Sequence, residues 1–123
     1  MFPHSDVDPT YIIDWQFWHP SVGTADLAFM IAREWYPERR RRLEQPMLRL
    51  YHETLLQSGI ERYDWETCWQ DYRLSVIQMS LLIPVFQWSL FKARPSMWWS
   101  GLERAMLAYE DLQCADLIDT SID

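Results

Sequence analysis

Residues 11–18, YIIDWQFW, set one carboxylate, Asp14, among aromatic and aliphatic side chains. Burying an unpaired carboxylate costs several kcal/mol or more, so Asp14 must be paired, bind a metal, or point out of the buried face of its segment. Tyr11, Ile12 and Ile13 are strand formers, and the residues before them, HSDVDPT, are rich in turn formers. This pattern predicts a short hairpin over residues 1–18, with Met1 and Phe2 in its first arm and Asp14 at a strand end.

Downstream the signals turn helical. Pro20 and Gly23 precede Thr24, a candidate N-cap for a helix over Ala25 to Trp35. Pro37 suits a first helical turn, and a stripe of Leu43, Met47, Leu50, Tyr51, Thr54 and Leu55 runs towards the stop at Ser58 and Gly59; Pro46 should kink or divide this helix. Asp64 is the next candidate cap, for a helix presenting Trp65, Cys68, Trp69 and Tyr72 and continuing to Phe91 with a bend at Pro84. Pro95 and Ser96 open a last helix, followed by an acidic tail with a frayed end. The expected fold class is therefore mainly α, one domain over residues 1–123 with the hairpin at 1–18 and helices across 19–123.

Composition narrows the partners. With 123 residues, 49% of them hydrophobic and eight of them Trp, the chain has the apolar surface for one real core. A net charge of −7 argues against nucleic acid, and against an anionic membrane as a general partner. Arg39–Arg42, flanked by Glu38 and Glu44, reads as a solvated helix face. The run Val76–Phe91 is shorter than the ~20 residues of a membrane span and is interrupted by Gln78, Pro84 and Gln87, so it is expected to be a buried core helix without membrane contact. Cys68 and Cys114 lack metal-ligand spacing, which points to a reducing compartment; with no secretory signal at the N-terminus, the expected location is cytoplasmic.

Read together, YIIDWQFWHPSVGTADLAFMI and RLYHETLLQSGI resemble the C-terminal lobe of the aminoglycoside phosphotransferase and choline kinase-like superfamily, especially its ecdysteroid kinase-like branch. In that family an IDWQ or IDWE segment takes the place of the DFG motif of protein kinases, and a G…DLA segment opens the next helix. The resemblance implies a protein-kinase-like C-lobe and an enzyme that uses Mg²⁺ and ATP to phosphorylate a hydroxyl of a small molecule. It implies that Asp14 is the Mg²⁺-coordinating carboxylate and that Gln16 stands where DFG has its Gly. Asp26 would accept hydrogen bonds from the catalytic loop or support its own helix. The family's catalytic loop, HGD followed by Asn, and its Lys-bearing N-lobe have no counterpart in these 123 residues. No catalytic residue is therefore assigned, little or no Mg²⁺ or ATP binding is expected of the chain alone, and the alternative is a non-catalytic helical remnant or interaction module that self-associates through exposed apolar surface.

Other residues read more plainly. Asp26, in a first helical turn, gains from the helix dipole without any further role. His19 and His52 are expected as surface or packing residues. Trp65, Trp69, Trp88, Trp98 and Trp99 fit a core stripe, although the resemblance places the C-terminal helices beside the acceptor site.

Overall fold

The computed structural model describes residue 11, residues 20–92 and residues 94–119. The expected hairpin, apart from Tyr11, lies outside these residues, as do Asp14, Gln16 and His19. The described residues are mainly helical and contain no strand.

Helix α1, Thr24–Ala28, runs directly into a π-helical segment, Phe29–Glu34. The cap is Gly23 rather than Thr24. Thr24 is buried, and its Oγ1 lies 2.9 Å from Ser75 Oγ. Ser75 Oγ donates its single proton to the Asp71 carbonyl at 2.7 Å, so Thr24 is the donor to Ser75. A long-range contact has taken the hydroxyl that local logic assigned to the cap.

Helix α2 spans Pro37–Gln57 with Pro37 at its first turn, and Pro46 lies inside it without dividing it. It ends as the Ser58–Gly59 signal predicts. Gly59 adopts φ 96°, the Ile60 N–H donates to the Leu55 carbonyl at 3.1 Å and the Gly59 N–H to Leu56 at 3.2 Å, a Schellman arrangement. Helix α3, Trp65–Ser75, is capped by Asp64, whose Oδ1 accepts from the Thr67 N–H at 2.8 Å. It continues through a π-helical segment, Val76–Leu82, into α4, Ile83–Phe91. A proline ring crowds the carbonyl four residues back and cannot donate to it; the wider π turn just before Pro84 gives that carbonyl room. Helix α5, Pro95–Asp111, and the short α6, Ala115–Asp119, complete the order.

The core lies where α1, α2, α3 and α5 meet, around Ile31, Leu48, Cys68, Tyr72, Val76 and Leu112. Ala28, Ala32 and Ala108 are also fully buried; such small residues let helix backbones approach closely. Cys68 and Cys114 are free and buried, and burial pushes the Cys114 thiol up to about 11, so neither is poised as a nucleophile at neutral pH.

Two expectations fail here. Arg40 is not on a solvated face but is 1% exposed: its Nη1 donates to Glu44 Oε1 at 3.3 Å and its Nη2 to Asp111 Oδ2. Tyr72 donates to Glu44 Oε2 at 2.6 Å, and Arg41 Nε to Asp111 at 2.7 Å, so the network ties α2 to both α3 and α5. The second concerns Val76–Phe91, which is buried only along one edge. Val76, Ser80, Leu81 and Pro84 are covered, while Leu82, Val85, Phe86, Leu90 and Phe91 are exposed, so only one edge of this stretch meets the other helices.

Removing the Arg40 charge leaves Glu44 buried without its cation, so Arg40→Met should lower unfolding stability by about 3–5 kcal/mol, and adding Glu44→Leu should restore much of the loss. Chemical denaturation of the two single variants and the double variant checks this; additive losses would refute the coupling. The two carboxylates respond oppositely to pH. Hydrogen bonding from Arg41, with help from Arg40, holds Asp111 below its ordinary 3.8, so its stabilisation is present at neutral pH and is lost as pH falls through that lowered value. Burial pushes Glu44 up despite Tyr72 and Arg40, so its contribution is present in acid and is lost as pH rises. Asp111→Asn should therefore destabilise at pH 7 and approach wild-type stability in acid below 3.8, as read by denaturation at each pH.

Candidate functional site

GTADLA places its residues in ways that spacing alone does not reveal. A Cβ on Gly23 would lie 2.0 Å from Tyr51 Oη and 3.0 Å from its Cζ. Glycine lets the Tyr51 hydroxyl of α2 lie against the chain where it enters α1, and a larger residue there would have to push the Tyr51 side chain aside. Asp26 is exposed in the first turn of α1, where a carboxylate is favoured by the unpaired N–H groups of the helix end. Among the described residues no group of three or more His, Cys, Asp or Glu is placed to hold a metal ion, and no step through Mg²⁺ is derived from them. His52 is nearly buried and its Nε2 donates to the Tyr63 carbonyl at 2.6 Å, a packing role as expected.

The five tryptophans divide into two sets. Trp65 and Trp69 belong to the core surround: their rings stack at 5.6 Å, Trp69 stacks on Tyr72 at 5.5 Å, and the Arg49 guanidinium lies 3.6 Å over Trp65. Trp88, Trp98 and Trp99 instead form a continuous column between α4 and α5. Trp88 and Trp98 stack at 5.0 Å and 14°, and Trp98 meets Trp99 at 5.9 Å and 50°.

Arg33 anchors the inner end of this column. Its guanidinium carbon lies 4.7 Å from the Trp88 ring and 4.8 Å from Phe29. Burial lowers its pKa, and Nε is buried without a hydrogen-bond partner, which costs free energy that the two ring contacts partly offset. Gly101 makes room for it, since a Cβ there would meet Arg33 Nε at 2.9 Å and Cγ at 3.2 Å.

Beside the column is a cleft of about 310 Å³ walled by Val85, Trp88, Trp98, Trp99 and Leu102, with the Ser89 hydroxyl and the Lys92 ammonium as its polar groups. That volume is at the small end of ligand sites. Flat aromatic walls with one hydroxyl and one cation suit a small apolar molecule carrying a hydrogen-bonding or anionic group. Trp98→Ala should remove one wall and one stack, weakening binding of an aromatic probe such as a naphthyl alcohol or sulfonate at least roughly tenfold while costing little helicity. Competition fluorescence together with circular dichroism reads both; unchanged affinity would show that the cleft is not the site. No family model, no curated protein and no solved structure matches the chain.

Proposed function

We propose that this chain is the C-terminal part of an ATP- and Mg²⁺-dependent phosphotransferase that phosphorylates a hydroxyl group of a small molecule. The support is the pairing of IDWQ with GTADLA. Asp14 stands nine residues before Gly23, which packs against the Tyr51 hydroxyl where the chain enters α1. In this reading Asp14 holds the metal, Gln16 follows it in the Gly position of DFG, and Asp26 serves the start of its helix. Mg²⁺ would neutralise charge on the phosphates. The acceptor oxygen forms a bond to the γ-phosphorus as the bond to ADP breaks, and the hydroxyl proton passes to a base that these 123 residues do not include. The Trp88, Trp98 and Trp99 cleft is the acceptor site, and its walls favour an apolar alcohol.

A second reading, a non-catalytic helical interaction module, is favoured by the exposed apolar face of α4. Mg·ATP titration of the chain separates them in part: binding that Asp14→Asn abolishes supports the phosphotransferase. The decisive experiment measures phosphoryl transfer to apolar alcohols by the product of the complete coding region. Asp14→Asn should lower kcat at least roughly a hundredfold, because loss of even an outer partner of a metal ligand costs 10–100-fold. Wild-type turnover in that variant would refute the assignment.

A further inference from the structure

The charge of −7 is unevenly spread. Between Asp71 and Glu103 there is no acidic residue, while Arg73, Lys92 and Arg94 fall in that interval, so the rest of the chain carries −10. Apolar side chains are most exposed in the same interval. Leu82, at the end of the π segment, and Phe86 and Leu90 of α4 follow one another at four-residue steps, and Phe91 and Met97 stand on either side of the turn into α5. Phe86 is 68% exposed, and Phe91 and Met97 are each 75% exposed.

We propose that this corner of α4 and α5 docks onto anionic lipid bilayers, entering one leaflet. The continuous helix Trp65–Phe91 is long and apolar enough to cross a membrane by length and composition. Its first half is nevertheless committed to the core through Cys68, Tyr72 and Ser75 and carries Glu66 and Asp71. The exposed part, Leu82–Phe91, rises ~15 Å, about half of a ~30 Å hydrocarbon core, which suits shallow insertion and not a span. Lys92, the left-handed cap of α4, and Arg94, the cap of α5, frame the apolar tip, where they meet anionic headgroups. Trp98 and Trp99 follow near the start of α5, and indoles favour the membrane interface; the Trp99 Nε1 donates to Glu103 at 2.8 Å. A second copy meeting the same patch in a two-fold interface would bring in a further Lys92 and Arg94 but, from the interval between Asp71 and Glu103, no acidic residue to pair with them. Repulsion from the acidic body is screened beyond about 8 Å at physiological salt. The inference does not rest on phosphoryl transfer.

Flotation of the full chain with vesicles tests it. The chain should rise with phosphatidylcholine vesicles containing about a third phosphatidylserine, and much less with phosphatidylcholine alone. Phe86→Glu/Phe91→Glu should abolish flotation, and Lys92→Gln/Arg94→Gln should lower partitioning roughly thirty-fold. All four side chains are exposed, and circular dichroism confirms that the variants remain folded. Failure of the wild type to float, flotation indifferent to both variant pairs, or a lipid-free dimer that Phe86→Glu/Phe91→Glu dissolves each overturns it, the last assigning the face to a second copy.

Discussion

The buried guanidinium of Arg40 is the constraint on which the arrangement of α2, α3 and α5 depends. Taking a charge out of water costs several kcal/mol, and only a nearly complete set of partners offsets it. Glu44 and Asp111 supply two carboxylates from different helices, and Tyr72 satisfies the other oxygen of Glu44. If α5 slid by a turn, Arg40 would lose Asp111; if α3 rotated, Glu44 would lose its hydroxyl. An apolar core of small residues tolerates such slips better than a hydrogen-bonded ion network does, so the network sets the register. Arg73 reinforces the same joint by donating to the carbonyls of Leu112 and Gln113, which close α5.

A second joint holds α1 and its π segment against α3 and the segment that follows it. Thr24 meets Ser75, and Ser80 Oγ donates to the Ala28 carbonyl at 3.0 Å, both fully or nearly fully buried. Both π-helical segments sit at this joint or next to it. Past Pro84 the support ends, and α4 relies on stacking: Arg33 on Trp88, and Trp88 on Trp98. The weakness of that support is why the most apolar helix of the chain stays largely uncovered, with a cleft between it and α5.

The sites were legible to different depths. Asp26 lies on a first helical turn, and Gly23 lies against the Tyr51 hydroxyl, a contact that the sequence could not show. Helical spacing could not divide the five tryptophans, since Trp65 and Trp88 look alike until one meets Arg49 and Tyr72 is found beside its neighbour while the other stacks across to α5. Arg33 gave no signal at all, because its partners Phe29 and Trp88 are brought together only by the fold.

What the sequence determined by itself were most of the helix ends: Pro37 and Pro95 at first turns, Asp64 as a cap and Gly59 at a left-handed stop act through the backbone within a few residues, whereas Thr24 lost its capping role to the distant Ser75. The tertiary structure alone decided burial. Arg40 went inside and Phe86 and Phe91 stayed out, because burial depends on which distant helices arrive at a face, and polar pairing across them can outweigh the hydropathy of any single stretch.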